Sequence, residues 1–288
     1  MCSGGVQQRL NAGLALSLAL LVPGTAVARL APVPDKPYRH VLVEERSDDR
    51  GMQRFVSERR LVFHPLPTGF ALDLTILDAS APANGSGAMF AAALAGLKGR
   101  TVRFLLDQEG RIMSIDDVAA VWAALCAAVD RAAAASPSGS AARQRAADAM
   151  AAAFRTMPAD RRQDMLSSLV NATLAGGLAA RLPVEGSAIS ISARSPTGMP
   201  VALPGRETVR IVDDRTILIT TTAHSDMAAP LPEATGPSRI SITITKRVDR
   251  AAGLILESRE QRETTVGAGP TARRNTSLTV SRLDPPVS

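Results

Sequence analysis

The chain has 288 residues, 45% hydrophobic and 21% charged, with a formal net charge of +6, a balance ordinary for a globular protein. Its basic residues are scattered among acidic ones, as over Glu257-Ser258-Arg259-Glu260-Gln261-Arg262-Glu263, and aromatics make up 3%. That argues against a nucleic-acid binder, which needs a one-sided basic patch and stacking rings, and it leaves Leu, Ile, Val, Met and Ala to build the core.

At the N-terminus, Arg9 precedes an apolar run from Ala12 to Val22. Pro23 and Gly24 break the run, and Ala26 and Ala28 stand at the −3 and −1 positions of a small-x-small cleavage site. The pattern predicts an export signal over 1–28, cleaved after Ala28, and a periplasmic or secreted mature chain. A membrane anchor fits less well, because the run is about half of the roughly 20 residues that cross a bilayer. No later stretch is long and apolar enough to span one. Heavy use of Ala, Arg, Gly and Pro, with Lys36, Lys98 and Lys246 as the only lysines, points to a bacterial envelope. Cys126 is the only cysteine left after cleavage, so the fold needs no internal disulfide. On the apolar side of its helix it reads as a buried inert thiol, with an intermolecular disulfide as the alternative.

Residues 29–37 form a Pro-rich extended leader, and 38–115 a β-rich region. Strands are expected over 38–46 and 54–64, joined by the polar turn from Ser47 to Gly51 and ended by Pro65 and Pro67. A third runs from Gly69 to about Asp78, with Phe70, Leu72, Leu74 and Ile76 on one face at period two. A Gly/Ser/Asn/Pro loop over 80–87 leads into a helix from Ala88 to Leu97, with Phe90, Leu94 and Leu97 on one side. A hairpin follows: Thr101–Asp107, the turn Gln108-Glu109-Gly110, then Arg111–Ile115.

Residues 116–180 form an Ala-rich helical segment. Val118, Val121, Trp122, Leu125 and Val129 make one apolar stripe, and Ser114 with Asp117 resembles a capping box. Ser136-Pro137-Ser138-Gly139 breaks the helix. A second covers 140–156, with Met150 and Phe154 on a face. A third starts at Pro158, with Met165, Leu169 and Val170 facing in, and ends at Gly176-Gly177.

The region 181–288 is β-rich again. Ile189 and Ile191 alternate with serines; Val209 and Ile211 lead through Asp213-Asp214 into Ile217 and Ile219; Ile240, Ile242 and Ile244 alternate with Ser241, Thr243 and Thr245. Strands near 254–266 and 272–283 follow the turn Asp249–Gly253. Thr-rich outward faces suit antiparallel sheet with one wet side. The turns Asp107–Gly110 and Asp249–Gly253 are alike, as hairpin turns built on Asp and Gly are. The expected fold is α+β: antiparallel sheet, one or two, from both ends of the chain, with the helical segment packed on or between the halves.

Catalytic and metal signals are thin. His40, His64 and His224 show no metal-ligand spacing and read as partly exposed strand-end residues. Asn84-Gly85-Ser86-Gly87 lacks the nucleophile-elbow spacing. Phosphate-loop and dinucleotide fingerprints are missing. Asp48/Asp49 and Asp213/Asp214 read as turns, and Asp116/Asp117 as helix N-terminal charge. Adjacent acids do not supply a carboxylate pair facing across a cleft. The sequons at Asn84, Asn171 and Asn275 read as chance. No catalytic, cofactor or metal residue is assigned, and no cofactor is expected. Phe90, Leu94, Trp122, Leu125 and Ile242 are candidates for an apolar pocket; core packing is the alternative reading.

The run Leu94-Ala95-Gly96-Leu97-Lys98-Gly99-Arg100, the turn Asp107–Ile112, the Ala-rich helices, Leu182-Pro183-Val184 and the late Asp249–Leu254 hairpin resemble a family of uncharacterised secreted bacterial proteins. That family carries an aromatic-containing segment after its Leu-Pro, from which Val184-Glu185-Gly186-Ser187-Ala188 departs. It has no assigned catalytic residues, so the resemblance transfers none. The β-helix-β order is also distantly similar to periplasmic lipoprotein carriers, whose half-barrel shields acyl chains, a likeness of architecture only. The expectation is an exported, non-enzymatic envelope protein binding a lipid, lipoprotein or other apolar ligand. The alternatives are a structural or assembly partner in the envelope and, less favoured, a hydrolase. Nucleic acid is not an expected partner.

Overall fold

The computed structural model describes residues 29–49, 51–82, 85–135, 141–195, 199–227, 238–267 and 272–286. The segment 1–28 expected to be an export signal, Asn84, and the helix break expected at Ser136–Gly139 lie outside the described residues.

Strands β1 (Pro37–Asp48), β2 (Gly51–Leu66), β3 (Gly69–Ser80), β4 (Thr101–Asp107) and β5 (Ile112–Ile115) form one antiparallel meander. β6 (Val184–Arg194), β7 (Pro200–Ile211), β8 (Thr216–Met227), β9 (Ser238–Asp249), β10 (Leu254–Val266) and β11 (Arg273–Asp284) form another. Pairing of β1 with β11, from Arg39 opposite Asp284 to Ser47 opposite Thr276, joins them. The result is one 11-stranded open sheet in the order β5-β4-β3-β2-β1-β11-β10-β9-β8-β7-β6. The two β regions therefore make one sheet, and the fold is α+β and mostly β.

The helices are α1 (Gly85–Leu97), α2 (Val118–Ala135), α3 (Ala141–Arg155) and α4 (Ala159–Asn171), followed by a separate 3-10 turn, Gly176–Ala180. They pack on one face of the N-terminal half, called the inner face below. That face brings Leu61, Phe63, Leu72, Leu74, Ile76, Val102 and Phe104 into one core with Leu94, Leu97, Trp122, Leu125, Val129, Leu166 and Val170 from the helices. Side chains alternate along a strand, so the apolar half of each alternation meets the helices. The period-two face of β3 holds as far as Ile76. There a register shift against β2 leaves Leu77 exposed and returns Ala79 to the inner side.

Several local expectations shift. α1 begins at Gly85, not Ala88. Asp117, not Ser114, caps α2: its Oδ1 accepts the Ala120 N–H at 3.3 Å, with the Asp117 backbone at φ +47. On α4, Val170 is buried and Leu169 packs against the core as expected, but Leu166 takes the inward place of Met165, which is 36% exposed. α4 stops at Asn171, well before Gly176. Cys126 is half-buried, with its thiol pKa raised chiefly by burial.

The leader crosses both Asp-Gly turns. Leu30 N–H donates to Gln108 O at 2.7 Å and Ala31 N–H to Ala252 O at 2.9 Å. Gly253 sits at φ +69, and a Cβ there would stand 3.0 Å from Arg29 O, so this turn needs glycine for both its conformation and the close approach. Asp107 and Asp249 each fold their own turn: Asp107 Oδ1 accepts from Glu109 and Arg111 N–H, Asp249 Oδ1 from Ala251 and Ala252 N–H, all at 2.9–3.0 Å.

Candidate functional site

Polar residues replace apolar ones on the inner face of the three central strands. Cross-strand partners share a face, so the register defines successive rows. Glu44, Thr279 and Glu260 form one; Arg46, Ser277 and Arg262 form the next. With Asp48, Asn275 and Thr264 they line an open trough of about 570 Å³ across β1, β11 and β10. Its charges are matched along each strand. Arg46 Nε donates to Glu44 Oε1 at 2.6 Å, and Arg262 pairs with Glu260 in the same i,i+2 way. Arg46 also lies over the Phe55 ring at 5.0 Å, and Phe55 packs edge-on to Phe90 at 5.5 Å. One wall of the trough therefore rests on α1. The rows alternate carboxylate, guanidinium and hydroxyl, a lining suited to a polar or hydroxylated group rather than to an acyl chain.

Deeper along the same face, towards α4 and past Leu42 of β1, polar residues recur in the core. His40 stands directly opposite Arg59, with Ser57 one inner-face position further along β2. His40 is 0%, Ser57 1% and Arg59 3% exposed. His40 Nε2 lies 2.8 Å from Ser281 Oγ, and Arg59 Nη1 donates to Leu169 O at the end of α4, at 2.5 Å. That contact places a cation against the negative end of a helix dipole. Burial, then the neighbouring Arg59, pushes the His40 pKa down to about 3, and burial takes Arg59 down to about 10. The expectation of a partly exposed His40 is thus overturned. The end of α4 reaches Arg59 on the paired strand there, which exposed Arg39 and half-buried Val41 beside His40 do not reveal.

The His40–Ser281 contact has the spacing of a base and its nucleophile, but His40 Nδ1 has no partner among the described residues to orient it. A base with a pKa near 3 is also a weak proton acceptor at neutral pH. His64, on the opposite face, lies between Asp35 Oδ1 at 2.6 Å and Asp73 Oδ2 at 3.2 Å, with Arg103 bidentate on Asp73. His224 lines a shallow hollow with Arg239 and Glu263. No group of three or more His, Cys, Asp and Glu that could hold a metal ion occurs among the described residues. No helix among them is long and apolar enough to cross a membrane.

The pocket candidates divide. Leu94, Trp122 and Leu125 are buried members of the helix-covered core, and Phe90 packs against it. Trp122 stacks on Phe154 at 5.8 Å and donates Nε1–H to Phe154 O at 3.2 Å. Ile242 belongs to a separate cluster with Ala193, Leu203, Ala223 and Ile240, so it does not join the other four.

No family model matches this chain, and no curated protein matches it. Its site is therefore read from its own residues. Sequence reading assigned Glu44 and Arg46 no role and took Glu260 and Arg262 only as scattered charge. The available signal was two separated Glu-x-Arg strand segments; the missing fact was that β11 sits between them.

Proposed function

We propose that this is an exported, non-enzymatic envelope protein that binds an amphiphile, a lipid or lipoprotein, on the inner face of its sheet. The trough over β1, β11 and β10 carries the reading. Ile240, Ile242 and Ile244 on β9 stand one strand beyond Thr264, Arg262 and Glu260 on β10, so an aliphatic row borders a polar one. A head group exchanging hydrogen bonds in the trough would lay its chain towards half-buried Ile244, since Ile240 and Ile242 are buried in their own cluster. The export signal expected over 1–28 supplies the compartment. The open sheet with helices on one face supports the analogy with lipoprotein carriers, which is one of architecture. Native mass spectrometry of the protein purified from its own periplasm, with organic extraction of the same sample, tests the reading. A co-purifying amphiphile is expected; a bare mass with an empty extract overturns it.

One observation favours a second reading, that of an assembly partner. Edge strand β6 runs for 11 residues and pairs only with β7 among the described residues. Such an edge offers backbone donors and acceptors to an added strand. Photo-crosslinking from Ser190 in cells would capture one defined partner on this reading; labelling no different from that at an exposed α3 position would exclude it.

A further inference from the structure

Four buried side-chain polar atoms lack a hydrogen-bond partner among the described residues, and three of them fall on one patch: His40 Nδ1, Ser57 Oγ and Arg59 Nε. The fourth, Ser238 Oγ, lies at the start of β9. Unpaired buried polar atoms are few in native proteins, so three on neighbouring positions of two paired strands call for a common cause. Arg59 sharpens the point. Its side chain forms no ion pair with a carboxylate of the described residues, and its one hydrogen bond goes to a neutral carbonyl. A buried guanidinium without a counter-ion is strongly destabilising, a cost that a bound anion offsets.

We propose that Arg59, Ser57 and His40 form a binding site for one oxyanion, a carboxylate or a phosphate. In the tautomer with the proton on Nδ1, Ser281 Oγ–H donates to His40 Nε2. The unused groups are then three donors: His40 Nδ1–H, Ser57 Oγ–H and Arg59 Nε–H. Three donors with one positive charge are the complement of an oxyanion. A water molecule can accept two of these bonds but leaves the charge unmatched. The nearest open surface on this face is the trough: Thr279, in its lining, is one inner-face step along β11 from Ser281, roughly 7 Å, with Leu42 of β1 between the trough and the site. The anion is either free in solution or the head of the amphiphile. In the second case the inference deepens the ligand-binding reading and rests on it.

The test is calorimetric titration of the full chain, at constant ionic strength set with chloride, using three probes: inorganic phosphate, oleoyl lysophosphatidate and monooleoylglycerol. The two lipids differ in the phosphate alone. Saturable lysophosphatidate binding, at least about tenfold tighter than monooleoylglycerol and reduced about a hundredfold in Arg59→Met, is the result expected for an amphiphile head. Saturable phosphate binding that Arg59→Met abolishes supports the site with a free anion as its occupant. Equal binding of the two lipids, unchanged in Arg59→Met, overturns the oxyanion site and leaves the ligand-binding reading standing. Failure of all three probes also overturns the site, while the extract of the native protein judges the broader reading separately. Ser57→Ala keeps the buried charge and guards against misfolding of Arg59→Met: about tenfold weaker anion binding is expected, and undiminished affinity counts against the site.

Discussion

At His40, burial and the facing guanidinium act in the same direction, and the folded-state pKa falls to about 3. The unfolded chain titrates near the ordinary value of about 6.5, so between these limits it binds the proton that the folded state refuses. Stability from neutral His40 is therefore complete above about pH 6.5 and lost as the pH falls towards 3. Over the two units from pH 6.5 to 4.5 this amounts to roughly 2–3 kcal/mol. Asp73, whose carboxyl is held low first by its bonds to Arg103, gives way only as the pH falls below the ordinary carboxylate range. Above pH 4.5 the histidine therefore dominates the loss, with the lowered carboxyls such as Glu58 and Asp73 following below. Urea unfolding across those two pH units should show a loss in the wild type that His40→Gln largely removes; parallel slopes would refute the buried-neutral assignment.

At the scale of elements, the Ala-rich composition of the helices acts through close packing. A Cβ on Gly96 of α1 would stand 2.6 Å from Ala128 Cβ and 2.9 Å from Ala124 O on α2. Gly96→Ala gains up to about 1 kcal/mol of helix propensity. The new methyl meets a backbone oxygen that cannot swing aside, and overpacking of this kind costs about 1–3 kcal/mol. The second effect is larger, so Gly96→Ala is expected to lower the urea midpoint, and a raised midpoint would show that α1 and α2 stand further apart. Trp122, on the same α2, holds the other helices. Arg162 of α4 lies over its ring at 5.8 Å and donates Nε–H to Met157 O at 2.7 Å, tying three helices to one indole.

For the whole molecule, the two meanders are held by β1–β11 pairing, by the leader across both Asp-Gly turns, and by Leu254 and Leu283 of the C-terminal half, which belong to the helix-covered core. The His40–Ser281 contact spans 241 positions of sequence. Such long-range closure favours slow folding and a single cooperative transition. Trp122, the only tryptophan, reports the helical layer, while far-ultraviolet circular dichroism reports the whole sheet. The two probes should give coincident urea transitions. Leu30→Ser, which weakens the leader strap, should shift both downwards together; a transition that splits would show the halves folding separately.

The sequence by itself determined the order of elements, most strand positions, the Asp-Gly turns and the apolar stripe of α2, because alternation, periodicity and turn chemistry act between residues close in the chain. It did not determine that one sheet forms, that Leu166 rather than Met165 faces in on α4, or that His40 is buried beside exposed Arg39. Those follow from which strands become neighbours. The trough shows the difference most plainly. Glu44 and Arg46 lie near one end of the chain, Glu260 and Arg262 near the other, and only insertion of β11 between β1 and β10 brings them to one surface. Local pattern specifies a strand and its wet side; the free energy of burying a shared core selects its partners.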